Sequence, residues 1–248
     1  MAIRIITDST ADVQAGIKEA LTTVPLTVHF GQQEYVDGVS ITHREFYEKL
    51  ETFHTLPSTS QATPAAFEDV FRQVANAGDS AVVLTLSSQL SGTWQSAMIA
   101  AEDYDNIYVV DTGSATIGAG ILAQLALELV QKGLSASQIA QTLEVEKDRV
   151  CIIALLDTLE YLKRGGRISA TAAFAGGLLN IKPVISLSGG QLSILGKVRG
   201  RKQGNSLLLA EAEKAGGIDF SMPVLLGYTG VSHENLQDFI AQSQPLWA

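Results

Sequence analysis

Two stretches rich in neutral hydroxyls hold the residues of this chain best placed to do chemistry. One is Pro57-Ser58-Thr59-Ser60-Gln61. The other, further along, is Leu86-Ser87-Ser88-Gln89-Leu90-Ser91-Gly92-Thr93. The second follows an apolar run at residues 81–86 and opens a helix-patterned segment. A helix start carries N–H groups with no intrahelical partner and the positive end of the helix dipole. Hydroxyls beside it make an anion site that needs no Lys or Arg. In a chain that is 46% apolar, an anion held by neutral donors points to a small acidic ligand with an apolar body. Any single hydroxyl here also reads as a helix cap or turn former. Ser87, Ser88, Ser91, Thr93 and Ser96 together are more than one cap needs.

Asp8 is a second candidate, at the end of the apolar run in Ile5-Ile6-Thr7-Asp8-Ser9-Thr10. This resembles the nucleophile loop of haloacid-dehalogenase-like phosphotransferases, where an aspartate attacks phosphate. Asp12 departs from that pattern, and no matching Lys or acidic pair for magnesium can be placed. The other reading is an aspartate that accepts hydrogen bonds from nearby backbone N–H groups. There is no P-loop and no nucleophile elbow, and the glycine-rich residues 113–120 have the wrong spacing for dinucleotide phosphates. His29, His43, His54 and His233 lack metal-ligand spacing. The lone Cys151 excludes an internal disulfide, and its apolar setting predicts a buried, inert thiol. Lys163, Arg164 and Arg167 form one basic group; Lys197, Arg199, Arg201 and Lys202 form another. Each reads either as a solvated edge or as a partner surface. Gly165-Gly166 permits an unusual turn that projects Arg167.

The elements that must position these residues follow from pattern. Residues 3–6, 24–30, 81–86 and 107–110 read as strands alternating with helices. Helices open at the capping box Thr42-His43-Arg44-Glu45, at Thr63-Pro64, at Ser91-Gly92-Thr93 and at Ser135-Ala136-Ser137-Gln138. Another spans residues 118–132. This rhythm predicts a mostly parallel sheet with flanking helices over residues 1–149. Ligands of such sheets sit beyond the carboxyl ends of the strands, where residues 7–10, 87–93 and 111–114 form polar loops. Residues 150–248 change rhythm. Strands are expected at 150–156, 183–187, 192–198 and 224–228, with a hairpin at Ser188-Gly189-Gly190-Gln191. Short helices start at Asp157-Thr158-Leu159-Glu160, at 206–215 and at 234–241, and residues 170–179 are apolar and rich in Ala and Gly. The expectation is a second α/β domain with a mixed or antiparallel sheet. A length of 248 residues suits two such domains. The net charge of −9 and pI of about 4.9 exclude bulk nucleic-acid binding, which needs a basic face, and favour a cytoplasmic protein. No signal peptide is visible, and no apolar run reaches the roughly 18–20 residues of a membrane helix.

A wider set of segments, in order along residues 3–202, is similar to the DegV family of bacterial fatty-acid-binding proteins. These are Ile6-Thr7-Asp8-Ser9-Thr10-Ala11-Asp12, Val24-Pro25-Leu26, Tyr35-Val36-Asp37-Gly38-Val39, Thr59-Ser60-Gln61 and Ser87-Ser88-Gln89-Leu90-Ser91-Gly92-Thr93. They continue with Leu159-Glu160-Tyr161-Leu162-Lys163-Arg164-Gly165-Gly166-Arg167-Ile168, Asn180-Ile181-Lys182-Pro183 and Lys197-Val198-Arg199-Gly200-Arg201. The resemblance implies a two-domain α/β fold and a bound long-chain fatty acid such as palmitate, stearate or oleate, with no cofactor and no metal. It implies that Thr59 and Ser91 hold the carboxylate, with Ser60, Gly92 and Thr93 beside them, and that the acyl chain enters an apolar tunnel between domains. Members of the FakB type present the fatty acid to a separate kinase subunit, which makes an acyl phosphate with ATP for phospholipid synthesis. Arg167 and Arg201 match arginines associated with docking that kinase. The chain would then be a non-catalytic cytoplasmic carrier that touches membranes transiently. The alternatives are a phosphohydrolase or phosphotransferase using Asp8, and a regulatory module without a ligand. The family pattern continues past Trp247-Ala248 with a final strand and a His-containing, glycine-rich tail. Its absence implies a shortened member or a truncation, with a less enclosed site and an unpaired edge on the second sheet.

Overall fold

The structure is a computed structural model that describes residues 2–53, 55–169 and 180–247. His54 and the apolar residues 170–179 lie outside the described residues. The chain begins with β1 (Ile3–Asp8), α1 (Ala15–Lys18), β2 (Leu21–Val24), β3 (Thr27–Phe30), β4 (Gln33–Val36), α2 (His43–Thr52) and β5 (Ser58–Ser60). It continues through α3 (Pro64–Asn76), β6 (Ser80–Thr85), α4 (Thr93–Ala101), β7 (Ile107–Asp111), α5 (Thr116–Gln131) and α6 (Ala136–Glu146). It ends with β8 (Ile152–Leu155), α7 (Glu160–Arg164), β9 (Ile181–Ser188), β10 (Gln191–Arg199), α8 (Gly200–Lys214), α9 (Glu234–Gln242) and α10 (Gln244–Trp247).

The first sheet is parallel throughout, in the order β2-β1-β6-β7. Its central strands are apolar on both faces because helices cover both. Ile5 turns to a core shared with Val82, Leu84, Leu122, Ile139 and Leu143, under α5 and α6. Its neighbour Ile6 turns the other way, to Val24, Phe67, Phe71, Val74 and Val83, under α3 and α4. Local chemistry sets the helix starts as the sequence indicates. Thr42 and Glu45 cap one another reciprocally at α2, Ser135 and Gln138 do so at α6, and Thr63 caps α3 ahead of Pro64. In the last sheet, β10-β9-β8, both pairings are antiparallel, and α8 packs across it. Gly189 and Gly190, at φ of +55° and +80°, make the hairpin turn between β9 and β10.

Residues 24–30 do not form one strand. β2 ends at Val24 as an edge of the parallel sheet, and β3 starts at Thr27 as the centre of a separate antiparallel sheet, β4-β3-β5. Pro25 has no N–H to donate, the Leu26 N–H is taken by Ser9 Oγ at 3.0 Å, and the Leu26 carbonyl accepts from Asp37 N at 3.0 Å. The chain therefore leaves one sheet and enters another at this point. Residues 224–228 form no strand. The segment lies along α5 instead: a Cβ on Gly120 would sit 3.3 Å from Leu225 Cδ1, and a Cβ on Gly227 would sit 3.0 Å from Ile117 Cγ2, while Leu226 and Tyr228 stay exposed. Cys151 is exposed rather than buried, because it precedes β8, the half-buried edge strand of its sheet.

Candidate functional site

The turn from β6 into α4 is built by backbone groups that other loops hold at the carboxyl edge of the parallel sheet. Asp8 Oδ2 accepts from Leu86 N at 2.7 Å. The Ser114 carbonyl accepts from Ser87 N at 2.7 Å, and the Asp111 carboxylate accepts from Ser88 N at 3.2 Å. Ser87 O then accepts from both Leu90 N at 2.9 Å and Ser91 N at 3.1 Å. The three loops expected to share this edge do share it. The turn of the β9–β10 hairpin closes on the same place. Gly190 N donates to Gly113 O at 2.8 Å, and Ser87 Oγ donates to Gly190 O at 3.2 Å. A Cβ on Gly190 would come within 2.8 Å of Ser87 Oγ, so the approach and the positive φ both require glycine.

The loop delivers Ser91, Gly92 and Thr93 to the start of α4 as one group. Ser91 Oγ and Thr93 Oγ1 lie 3.0 Å apart, and Ser91 Oγ accepts from Thr93 N at 3.3 Å. Gly92 occupies the N-cap position without a side-chain cap, and the first turn carries no acidic residue. The positive end of α4 is thus not neutralised by a carboxylate of its own helix. Thr93 and Ser96 are buried beneath it. Two further buried hydroxyls at this edge, Thr85 Oγ1 and Ser114 Oγ, have no hydrogen-bond partner among the described residues.

Thr59 and Ser60 lie in β5, an exposed strand rather than the expected loop. Thr59 pairs opposite Val28, and Ser60 Oγ is 2.8 Å from His29 Nε2. Gln61 ties this segment to α4: its Nε2 donates to Ser96 Oγ at 2.8 Å, and its amide lies against the Gly92 backbone. Sequence reasoning missed this role of Gln61. Its one signal was its place directly after Thr59-Ser60.

Asp8 is buried, and both its oxygens are engaged. Oδ1 accepts from Thr10 N at 2.9 Å and Thr10 Oγ1 at 2.6 Å, and Oδ2 from Leu86 N. Burial pushes its pKa up, against these hydrogen bonds, which pull it down. The geometry is that of an aspartate organising two turns. Asp12 is also raised by burial. Among the described residues, no group of His, Cys, Asp and Glu is arranged to hold a metal, and no helix is long and apolar enough to cross a membrane.

Arg167 follows α7 in a Schellman turn. Arg167 N donates to Leu162 O at 2.9 Å, Gly166 N donates to Lys163 O at 3.1 Å, and Gly166 takes φ of +75°. This turn carries the Arg167 side chain to the β6–α4 loop, where Nε donates to Leu90 O at 3.2 Å; an η nitrogen also bonds Gly165 O. Arg201 lies in the first turn of α8, where Asp157 accepts from it at 3.0 Å and from Lys182 Nζ at 2.6 Å. Lys182 is the main cause of a lowered Asp157 pKa. A cavity of about 470 Å³ lies elsewhere, along the free edge of β7 between Met98 and Ala101 on one wall and Ala140 and Glu144 on the other.

The model of the family described as "Uncharacterised protein, DegV family" matches residues 2–245. A DegV domain-containing protein of Deinococcus radiodurans is 42% identical over 206 residues, covering 82% of this chain and 73% of the relative. Among solved structures, a fatty-acid-binding DegV family protein from Thermus thermophilus is similar at a TM-score of 0.78 and 36% identity, over 87% of this chain and 78% of that one. The Streptococcus pneumoniae fatty acid kinase (Fak) B3 protein, loaded with linoleic acid, is similar at a TM-score of 0.77 and 26% identity, over 87% and 79%.

Proposed function

Because the chain belongs to the DegV family, we propose that it binds a long-chain fatty acid and carries it without chemical change. The observation that carries this reading is the start of α4. There Ser91 and Thr93 cluster their hydroxyls at a helix N-terminus that has no acidic residue in its first turn. Such a site holds a carboxylate through hydroxyls and backbone N–H groups, with the helix dipole adding to the attraction. Thr59 and Ser60 would add their hydroxyls from the segment that Gln61 ties to α4. The acyl chain runs between the parallel-sheet unit, residues 1–149, and the antiparallel unit, residues 150–248, which meet at the Ser87–Gly190 contact. A tail of about fourteen methylenes gains a gross ~11 kcal/mol on burial at ~0.8 kcal/mol each. Ordering and association costs leave roughly micromolar to nanomolar affinity. Full engagement of Asp8 by Thr10 and Leu86 argues against its use as a nucleophile.

The likeness to a fatty acid kinase B3 protein supports presentation of the bound acid to a separate kinase in the cytoplasm, with transient membrane contact for loading. Arg167, exposed just after α7, and Arg201, partly exposed at the start of α8, would meet that partner. Comparing oleate with oleyl alcohol tests the carboxylate site. Ligand that binds only the native state raises thermal stability, so oleate should raise Tm well above the shift from the alcohol. Equal shifts would remove the helix start from the account.

A further inference from the structure

Arg167 does more in this structure than face outward. Its Nε donates to the carbonyl of Leu90, while the N–H of Ser91 donates to Ser87 O. That carbonyl and that N–H belong to one peptide unit, and a trans peptide is planar with the two groups pointing in opposite directions. Arg167 and Ser87 therefore pin opposite ends of the Leu90–Ser91 plane. The plane sets where Ser91 Oγ projects, and Ser91 Oγ is what meets Thr93 at the start of α4. Arg167 is itself held in place by the Schellman turn of α7, through the Arg167 N–Leu162 O bond.

We propose that Arg167 is a positioning residue for the ligand's carboxylate, fixing the direction of Ser91 by holding the Leu90 carbonyl. This rests on the fatty-acid reading of the α4 site. It joins that site to the α7 turn, so the arginine a partner would meet is also the one that orients the head-group donor. A partner that draws the guanidinium away loosens the plane beneath the ligand.

Glutamine separates the two roles, because its Nε2 stands the same number of bonds from Cα as arginine Nε while the charge is gone. The test uses the full chain as wild type, Arg167→Ala and Arg167→Gln. Two readouts are taken: amide hydrogen exchange of Ser91 and Thr93 without ligand, and oleate affinity. Arg167→Ala should speed exchange at Ser91 and weaken oleate binding about 3- to 10-fold, the scale of one hydrogen bond. Arg167→Gln should restore most of both. Wild-type exchange in Arg167→Ala, or a glutamine variant as impaired as the alanine, overturns the proposal. If wild type binds no oleate, the proposed function fails by itself, and the exchange pattern still decides whether Arg167 holds this plane.

Discussion

Replacing Gly92 with alanine should cut the tie between the two hydroxyl-bearing segments. A Cβ at Gly92 would stand 2.9 Å from Gln61 Cδ and 3.1 Å from Gln61 Nε2, and would overlap Oε1 more closely still. The backbone conformation at Gly92, φ of −75° and ψ of 5°, is open to alanine, so the clash is met by the glutamine rather than by the turn. Swinging Gln61 away forfeits its hydrogen bond to Ser96 Oγ and leaves a hydroxyl in a residue only 1% exposed without that partner. An unmade bond at a buried polar group costs about 1–3 kcal/mol, which for a chain of this size lowers Tm by roughly 2–12 °C. Alanine is also a poorer N-cap than glycine, adding a smaller cost. Urea unfolding of Gly92→Ala, Gln61→Ala and the double variant separates these effects. If the steric argument holds, Gln61→Ala takes most of the loss itself, and Gly92→Ala then costs little more. The coupling should be about as large as the lost bond. Additive costs, or an unchanged midpoint in Gly92→Ala, would refute the reasoning.

Ser91→Ala and Thr59→Ala should each weaken oleate binding by about 1–3 kcal/mol, the scale of a hydrogen bond to a charged group. Thr59→Ala should change the urea midpoint little, whereas Ser91→Ala should lower it by removing the partner of buried Thr93; wild-type affinity in the double variant would place the carboxylate elsewhere. Burial raises the Asp8 pKa, so its stabilising contribution is present at acid pH and lost as pH rises through the raised folded value. The stability of wild type relative to Asp8→Asn should therefore fall with rising pH above about 4; a rising difference contradicts the assigned direction. Magnesium-dependent phosphate-ester turnover in wild type that Asp8→Asn abolishes would revive the enzyme reading. Arg201→Ala should leave oleate affinity at the wild-type value, because Arg201 pairs with Asp157 among the described residues, and Asp157 keeps Lys182. It should lower acyl-phosphate formation by a cognate kinase in a salt-dependent way, and unchanged turnover would return Arg201 to an ordinary surface ion pair.

Much of this architecture is legible from short-range chemistry. The capping pairs Thr42–Glu45 and Ser135–Gln138, Pro64 at the first turn of α3, and the Gly189-Gly190 turn act within a few residues, so sequence spacing reveals them. The gathering of residues 7–10, 87–93 and 111–114 also follows from local reading, since parallel strands deliver their next loops to one edge. What stayed hidden depends on distant partners. The β4-β3-β5 sheet exists because Pro25 and the Ser9–Leu26 bond turn the chain out of the first sheet. Residues 224–228 are an apolar run like that of a buried strand, but they lie along α5 through Leu225 and Gly227 and leave Leu226 and Tyr228 exposed. The exposure of Cys151 reflects an edge position that its apolar neighbours cannot announce. At the site, Ser91 and Thr93 could be read as a pair, whereas Gln61 on Gly92 and Arg167 on Leu90 are contacts across the fold.

Gentle purification from a bacterial host, organic extraction and mass spectrometry test the central claim most directly. The account predicts a long-chain acid such as palmitate, stearate or oleate at close to one per chain. An extract with no acyl species, from protein whose Tm added oleate leaves unchanged, would contradict it.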